Sequence, residues 1–501
     1  MSKSRVRASP VIAALLAALV AACTADARRA APPPAGPIEV RIGTFLPAVP
    51  QGNPTMALAG FLTAEPLVTV TWDGRAVFRL IESVEELKEG RLLSVKLKPN
   101  LRFHSGESVT AERVREIILP KVPRFAAQDI KDITTNGSDR LVFHLFRNYT
   151  FKAVDLSAFV VDGAERADHR TGPFKVVSTG PPIVLESFGQ YDQGPPSVSR
   201  IEIREFPTHR AAWSAMLRGD VNFLHEVNRD AIGFIQAGGQ MKAYPLLRPF
   251  YTALVFNHRH PVLRRREVRV ALNEAIDRRE VVRNGLRGHG EVAEGPFWPH
   301  HWAYPHGRVP VSHNPEAARV RLDAAGLKIR RPSSQEMPSR LAFTCLLPLG
   351  DTRFERIALV IQRQLFAIGV DMRLEPVPIR RLYERAAKGD FEAFVSEATT
   401  GRTLKFPYDM WHSKGGYALS GYSAADTALD RMKLARNDDE VRSGVLDVMR
   451  VLQSDPPAIF LTLPREVRAA DNVFDIPYET DRDVFYTLWQ TRWRTTQTAR
   501  R

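Results

Sequence analysis

The sequence contains very little cysteine and, after its first 22 residues, no long apolar run. Cys23 and Cys345 are the two cysteines among 501 residues, so if Cys23 is modified Cys345 has no partner in the chain and no disulfide framework stabilises the fold. No later stretch is long and apolar enough to be a transmembrane helix. Internal repeats are also absent. Because 44% of the residues are hydrophobic, the chain can bury a large core, which predicts two or three globular lobes.

Basic residues outnumber acidic ones and give a formal net charge of +14. Such an excess can attract nucleic acid, anionic lipid or acidic ligands. The arginines are spread along the whole chain, however, and no basic run is interleaved with aromatic residues as in a base-stacking surface. We therefore expect an arginine-rich surface and no nucleic-acid partner.

The N-terminal segment has the order of an export signal. Three basic residues precede the uncharged residues 11–20, and Ala21 and Ala22 then lead to Cys23. The apolar run suits a secretory signal and is too short to span a bilayer permanently. Small residues before a cysteine resemble a bacterial lipobox, which implies a signal peptide over residues 1–22 and a lipidated Cys23 held to a membrane by acyl chains. An ordinary signal peptide with a cysteine at this place by chance is the alternative.

Residues 24–37 contain no large aliphatic or aromatic side chain, and three of them are consecutive prolines. Such a composition favours an extended tether over a packed element. We expect residues 23–37 to link the lipidated cysteine to the globular part. The mature protein would then be exported and anchored at the periplasmic face or in the cell envelope.

Beyond the tether, short strands alternate with longer helices. Residues 38–42 alternate apolar and polar side chains as a half-buried strand does, whereas residues 354–368 follow helical spacing. Thr208 and Gly219 have the positions of a helix N-cap and a C-terminal glycine. Cys345 lies in an apolar run that predicts a buried strand, so we expect it to be a core residue. This alternation indicates an α/β protein with mixed sheets.

Several motifs then carry a resemblance to a known family. Phe103, His104, Gly106, Thr110 and Ala111 match the pattern F-H-x-G-x-x-x-T-A after an extended strand, and residues 171–174 match a T-G-P-Y/F turn. Further matches, in the same order as in the family, lie at residues 215–221 (A-L-x-x-G-E-I-D), 256–278 (F-N, P, then V-R-x-A-L-x-x-A-I-D-R), 314–326 and 368–375. Together they resemble family 5 of the bacterial extracellular solute-binding proteins, the receptors of dipeptide, oligopeptide and nickel ABC importers.

The resemblance implies a fold and a function. The fold would be the two-lobed periplasmic-binding-protein-like (class II, cluster C) α/β fold, with mixed sheets and a small extra subdomain on lobe I. Lobe I would span residues 38–254, lobe II residues 255–458, and residues 459–501 would return to lobe I. A monomer would trap a small solute, peptide-like or otherwise polar, between closing lobes and deliver it to permease subunits. No covalent chemistry, cofactor or catalytic residue is expected.

One segment departs from the pattern of peptide-binding relatives. There, an aspartate in a G-W-x-x-D-Y-x-D-P segment pairs with the terminal ammonium of the peptide. The corresponding residues 391–409 lack this tryptophan and the Asp-Tyr pair, and they offer Arg402 and Lys405 instead. Since a buried ammonium needs a paired carboxylate, peptide binding rests on the resemblance, and Glu397 is the nearest substitute.

The candidate ligand-binding residues are chosen for their chemistry, and two of them, Trp298 and Trp302, belong to a loop that lies near the cleft in relatives. Aromatic side chains suit apolar or sugar faces, and an arginine suits a carboxylate. A core or surface-loop role is the alternative for each of them. The candidates are Asn257, Trp298, Trp302, Glu397, Arg402, Trp411, His412, Tyr417 and Tyr422.

Three histidines, His300, His301 and His306, lie in one proline-rich loop, and imidazole suits nickel or zinc. No carboxylate stands at ligand spacing beside them, so we predict no metal site.

Two other functions compete with transport. An exported hydrolase would need a nucleophile or a zinc helix. The segment around Ser423 lacks the second glycine of a G-x-S-x-G elbow, however, and H-E-x-x-H is absent. A receptor without a transport role, or a periplasmic chaperone, would use the same lobes.

Overall fold

One mixed sheet of 12 strands connects the two main parts of the molecule. The computed structural model describes residues 36–45, 54–163, 167–228, 231–306, 312–329 and 338–494. The predicted signal peptide, Cys23 and nearly all of the predicted tether lie outside these ranges.

The strands in chain order are β1 (Ile38–Phe45), β2 (Glu65–Pro66), β3 (Val68–Val70), β4 (Ala76–Phe78), β5 (Ile81–Leu87), β6 (Leu92–Leu97), β7 (Ile130–Thr135), β8 (Arg140–Leu145), β9 (Val160–Val161), β10 (Phe174–Ser178), β11 (Ile183–Ser187), β12 (Val198–Phe206), β13 (Phe223–Leu224), β14 (Met241–Leu247), β15 (Phe250–Phe256), β16 (Gly290–Val292), β17 (Leu341–Pro348), β18 (Val370–Val377), β19 (Ala393–Thr399), β20 (Ala458–Asp471), β21 (Phe474–Asp475) and β22 (Arg492–Trp493).

The α-helices span Pro54–Thr63, Ala111–Ile118, Arg124–Ala127, Lys152–Asp155, His209–Leu217, Ile232–Gly238, Arg266–Glu274, Arg278–Glu280, Pro315–Ala324, Thr352–Ala367, Ile379–Lys388, Lys405–Trp411, Asp426–Lys433 and Asp438–Ser454.

The strand order of the large sheet separates two lobes. It runs β10-β11-β12-β1-β13-β20-β15-β19-β17-β18, and β14 and β16 also pair with β20. We call β1 and β10–β14 lobe I, and β15–β19 lobe II. The long strand β20 belongs to both, because its residues 465–471 pair with β14 and its residues 458–464 pair with β15 and β16.

The chain passes between the lobes at two adjacent places. β14 ends at Leu247 in lobe I and β15 begins at Phe250 in lobe II, so Arg248 and Pro249 form one crossing. The return crossing lies within β20, between Pro464 and Arg465. The boundaries proposed from the sequence, 254/255 and 458/459, fall inside β15 and at the start of β20.

A smaller four-stranded antiparallel sheet, β5-β6-β8-β7, forms a subdomain of its own. The helix Ala111–Ile118 buries Ala111, Val114, Ile117 and Ile118, and Thr110 caps it by accepting a hydrogen bond from the Arg113 backbone N–H. The apolar faces of the sheet and the helix meet in one core cluster. This subdomain is a local unit because its strands are close in sequence.

Helix ends and buried strands follow the local sequence signals. Thr208 caps the helix His209–Leu217, and Gly219 follows it at φ 76°. The helical spacing around residues 354–368 is confirmed by the helix Thr352–Ala367, which turns its apolar face into the lobe II core. Cys345 is a free thiol inside β17 with no exposed surface, as expected of a core residue. Burial raises its pKa, which makes the thiolate unavailable.

A buried charge cluster joins the small subdomain to the helical layer behind it. Asp129 has no exposed surface, and it accepts hydrogen bonds from the ammonium groups of Lys405 and Lys433 at 2.8 Å. Both lysine side chains are 1% exposed. Burial by itself raises the pKa of Asp129, but the two lysines overcome this and hold it below its usual value.

Within the described residues, no helix combines the length and apolarity needed to cross a membrane.

Candidate functional site

A cavity of about 1250 Å³ lies between the two lobes. Lobe I contributes side chains that follow its strands, lobe II contributes the N-terminal turns of two helices, and the crossings contribute residues between them. The residues that line it include Phe45, His209, His225, Glu226, Arg248, Phe250, Asp351, Arg353, Arg356, Tyr383, Ser396, Glu397, Glu466 and Arg468. A guest in this cavity would contact both lobes at once, as a ligand that favours closure must.

The topology explains why chemical groups gather at this wall of lobe II. β17 pairs in parallel with β18 and with β19, so the carboxyl ends of these strands meet at one edge of the sheet. Pro348 at the carboxyl end of β17 lines the cavity, and so do Gly350, Asp351, Thr352, Arg353, Phe354 and Arg356, which follow it. Ligands of open α/β sheets bind at such edges, because the loops there are free to present side chains.

The floor of the cavity is an ion network of Arg248, Arg353, Glu397, Glu466 and Arg468, which we call the cleft ion network. Glu397 accepts hydrogen bonds from Arg248 at 3.0 Å and from Arg353 at 2.8 Å, and its side chain is 12% exposed. Arg248 also lies 3.0 Å from the Glu466 carboxylate, and Arg468 lies 3.4 Å from the same group. Arg248 therefore forms ion pairs with two carboxylates, Glu397 on lobe II and Glu466 on β20 at the crossing.

The electrostatics of this network favour the charged form of Glu466. Burial raises the pKa of Glu466, but Arg248 and Arg468 outweigh burial and leave that pKa well below its usual value. Burial and the neighbouring Arg468 lower the pKa of His225 to about 3, so this ring is neutral at physiological pH. The permanent charges of the cavity are thus those of arginines and carboxylates.

A smaller pocket of about 40 Å³ adjoins the cleft and is mainly apolar. Tyr383, Ser396 and Glu397 line both cavities, and the hydroxyls of Tyr383 and Ser396 lie 2.7 Å apart. Trp411 lines the pocket and donates its indole N–H to the Tyr251 hydroxyl at 3.1 Å. The pocket therefore offers an aromatic surface for an apolar group of a guest in the main cleft.

The structure brings three of the nine candidate residues to these cavities. Glu397 lines both of them, and Trp411 and Tyr417 line the smaller pocket. The other six do not line either cavity and have contacts within the protein.

Asn257 and Tyr422 hold backbone in place. The Asn257 amide donates to the carbonyls of Gly389 and Phe391, and the Tyr422 hydroxyl donates to the carbonyl of Asp455 at 3.0 Å. Both residues are buried.

Trp298, Trp302 and Arg402 belong to an aromatic and cationic cluster outside the lining of both cavities. The Trp298 indole donates to the Trp72 carbonyl at 2.7 Å, and the Arg402 guanidinium lies 5.1 Å from the Trp72 ring. Trp302 stacks under Arg75 at 3.8 Å. Arg402 has a positive φ of 54°, which fixes it in a tight turn after β19.

His412, one of the nine candidates, and His301, one of the three histidines of the proline-rich loop, are both buried. His412 stacks on Tyr408, and its Nδ1 accepts from the Lys414 backbone N–H at 3.0 Å. His301 is buried, its Nδ1 accepts from the Ala303 backbone N–H, and burial lowers its pKa to about 4. In the part of the chain that the structure describes, no group of three or more histidine, cysteine or acidic side chains is arranged to hold a metal ion.

Sequence reasoning missed the arginines of the cleft and Tyr383. Arg353 and Arg356 begin a helix directly after a buried parallel strand, so the rule about carboxyl ends of strands would have pointed to them. Arg248 and Glu466 carry no local signal, because each is defined by partners far away in the chain.

Known proteins resemble the chain over most of its length. The family model described as bacterial extracellular solute-binding proteins, family 5 Middle, matches residues 76–418. The oligopeptide-binding protein AppA of Bacillus subtilis (strain 168) is 27% identical over 447 residues, which cover 81% of this chain and 82% of that protein. The nickel-binding periplasmic protein of Escherichia coli (strain K12) is 25% identical over 395 residues, 71% of this chain and 73% of that protein.

Solved structures share the fold. NikA from Brucella suis in complex with Fe(III)-EDTA superposes with a TM-score of 0.77 at 19% identity, covering 91% of this chain and 100% of that one. AppA from Bacillus subtilis in complex with a nonapeptide gives a TM-score of 0.73 at 22% identity, covering 92% and 100%.

Proposed function

This chain belongs to the bacterial extracellular solute-binding proteins of family 5, and on that premise we propose that it captures a peptide-like solute between its lobes for the permease of an ABC importer. The observation that carries the proposal is the cavity of about 1250 Å³ whose walls come from both lobes. Relatives named for oligopeptide and nickel binding support the receptor role and leave the solute open.

The physical mechanism is differential binding to two arrangements of the lobes. The crossings at Arg248–Pro249 and within β20 lie side by side, so a rotation about them opens or closes the cleft. A solute that contacts both walls stabilises the closed arrangement by its extra affinity for that form. We propose that the permease recognises the closed arrangement, that one monomer binds one solute, and that the residue ranges given from the sequence approximate the two lobes.

The test is a binding panel read by melting and small-angle scattering. The probes are trialanine, a nonapeptide, nickel(II) with histidine, and maltose. A binding probe at 100 times its Kd adds about 2.7 kcal/mol to the free energy of unfolding, which raises the melting midpoint, and closure lowers the radius of gyration. Mass spectrometry should recover the probe unchanged, since no covalent step is proposed.

A matched pair of variants locates the binding at the cleft. Thr352 is exposed and lines the cavity, whereas Thr480 is exposed and outside its lining. We expect Thr352→Trp to weaken binding and Thr480→Trp to leave it unchanged. A chemically altered probe would indicate an enzyme instead, and equal effects of the two variants would place binding elsewhere.

We further propose that Cys23 anchors the exported protein to a membrane through acyl chains. The basic start, the apolar run and the small residues before Cys23 support this proposal. Expression of Cys23→Ser in a bacterial host should release the protein from the membrane fraction into the soluble envelope fraction. A Cys345→Ser variant is the control and should stay with the membrane. If Cys23→Ser also remains bound to the membrane, the anchor is not this cysteine.

A further inference from the structure

The small subdomain meets lobe II at a cluster of buried charges outside the cleft. Five charged residues, each at most 4% exposed, come from the two sides: Asp129 and Asp155 from the subdomain, and Lys405, Asp409 and Lys433 from lobe II. Backbone also bonds across this contact, because the Thr150 N–H donates to the Lys433 carbonyl at 3.0 Å. We call it the subdomain contact.

The chain connects the subdomain to lobe I at both ends. It begins after the helix Pro54–Thr63, which packs in the core of lobe I, and its last strand, β9, leads to β10 of lobe I. Arg79 of the subdomain also donates a hydrogen bond at 2.9 Å to Asp192, which lies between β11 and β12. If lobe II turns about the crossings, the subdomain therefore stays with lobe I, and the subdomain contact is the face that must part.

Asp409 is poorly matched within this contact. Both oxygens of its carboxylate lack a hydrogen bond in the part of the chain that the structure describes, although the Lys405 ammonium lies 3.4 Å away. Lys405 and Lys433 direct their hydrogen bonds to Asp129 instead, each at 2.8 Å. A buried carboxylate without a well-placed donor is less costly when a proton neutralises it.

Asp155 is the second carboxyl group with this property. It accepts a hydrogen bond at 2.9 Å from the Tyr149 hydroxyl, which is a neutral donor. Burial raises the pKa of Asp155 to about 7 and that of Asp409 to about 6, although Lys405 opposes both shifts. Asp129 differs, because Lys405 and Lys433 hold its pKa below the usual value and keep it ionised.

The direction of the pH effect follows from these surroundings. The titratable and charged groups around the two carboxylates are Asp129, Arg147, Tyr149 and Lys152 on the subdomain, and Lys405, Tyr408, His412, Asp430 and Lys433 on lobe II. Because the pKa values of Asp155 and Asp409 lie above the 3.8 of an exposed aspartate, the closed contact binds protons more tightly than the parted one. Protonation thus stabilises the contact fully below about pH 4, and this stabilisation is lost as the pH rises through about 6 to 7.

We propose that the subdomain contact is a proton-dependent latch: a proton held at Asp155 or Asp409 keeps the subdomain against lobe II, and its release lets the lobes part. This inference rests on the lobe closure of the proposed function and adds a control to it. Acid favours the closed arrangement, so a solute that binds between closed lobes is held more tightly at pH 5 than at pH 8.

Two spin labels across the contact test the latch without any solute. Gln128 and Lys414 are exposed and lie on opposite sides, where the Gln128 amide donates to the Lys414 carbonyl at 3.4 Å. Nitroxides are attached to Gln128→Cys and Lys414→Cys in protein that also carries Cys23→Ser, while the buried Cys345 stays unlabelled. Dipolar broadening of the electron paramagnetic resonance spectrum gives the ratio of close to separated labels. We expect this ratio to fall about tenfold or more from pH 5 to pH 8, since a shift of one pKa unit changes an equilibrium tenfold.

Asparagine variants assign the effect to the two carboxyl groups. Asp155→Asn and Asp409→Asn each resemble the protonated side chain, so each should reduce the pH response, and the double variant should keep the labels close at pH 8. Asp139→Asn is the matched control, because Asp139 is exposed on the same subdomain, and it should respond as the unmodified protein does. Melting of each variant checks that it folds, and the two single variants suffice if the double variant does not.

The outcomes separate the latch from the receptor function. Labels equally close at pH 5 and pH 8, or a pH response that persists in both asparagine variants, would overturn the latch while the solute panel still tests the receptor. If the labels respond to pH and no solute of the panel binds, the latch stands and the receptor proposal falls.

Discussion

Replacing Glu397 by glutamine will destabilise the protein by about 1.5–3 kcal/mol, because it removes a carboxylate that two largely buried arginines share, while Arg248 keeps Glu466 and Arg353 keeps Asp351 as partners. Glu397 pairs with Arg248 and Arg353, whose side chains are 23% and 13% exposed. Glutamine keeps the shape and one acceptor oxygen but removes the negative charge that both guanidiniums share. For a lobe of this size the change corresponds to a fall in the melting midpoint of about 2–4 °C per kcal/mol.

The same substitution at an exposed pair of the same wall is the control. Glu384 is 55% exposed and lies 3.5 Å from Arg380, which is 84% exposed. Water screens such a pair, so Glu384→Gln should change stability by no more than about 1 kcal/mol. Differential scanning calorimetry measures the melting midpoints of Glu397→Gln and Glu384→Gln, which are compared with each other. Equal midpoints would mean that Glu397 is not needed to neutralise the cleft, and a ligand ammonium could then be its partner.

The second large effect is expected from Asp129→Asn. The ammonium groups of Lys405 and Lys433 both lie 2.8 Å from the Asp129 carboxylate, and each lysine side chain is 1% exposed. Without Asp129, the two buried ammonium groups would keep Asp409, 3.4 Å from Lys405, and Asp155, which also acts on Lys405, as acidic neighbours. Burial raises the pKa of Asp409 to about 6 and that of Asp155 to about 7, so both carboxylates are harder to ionise than Asp129. We expect a loss of about 3–5 kcal/mol or failure to accumulate as a folded protein.

Asp447→Asn provides the comparison, since Asp447 pairs at the surface with Arg431 at 2.9 Å. The melting midpoint of Asp447→Asn should stay within about 1–2 °C of that of the unmodified protein, because water screens this surface ion pair. If Asp129→Asn yields too little folded protein, the double variant Asp129→Asn with Lys433→Met removes one of the uncompensated charges and should recover part of the lost stability. A single variant as stable as Asp447→Asn would contradict the electrostatic account of this cluster.

Much of the fold could be predicted because its signals are local. The N-cap Thr208, the apolar spacing of residues 354–368 and the buried run around Cys345 each depend on neighbours within a few turns. Backbone hydrogen bonding and burial act on such segments directly, so their pattern predicts helix or strand. The motifs that resemble family 5 are mostly scaffold of this kind, which is why they indicated the fold and little about the ligand.

The sequence could not tell which candidate residues line the cavities, for a physical reason. Aromatic residues such as Trp298 and Trp302 suit a binding site and a packed cluster equally, and sequence alone does not say which partners they meet. In the structure Trp298 contacts Trp72, a residue 226 positions away. Glu397, Trp411 and Tyr417 reach the cavities because β19 and the segment after it lie beside the crossing strands.

By itself the sequence determined an α/β architecture and a scaffold typical of one family, since those depend on composition and short-range spacing, and the export-type start stays a prediction. Only the tertiary structure decided which charged side chains form ion pairs with each other. Glu397 meets Arg248 across 149 residues of the chain and Arg353 across 44 residues. Charge pairing depends on distances of a few ångströms in space, and no periodicity along the chain specifies them.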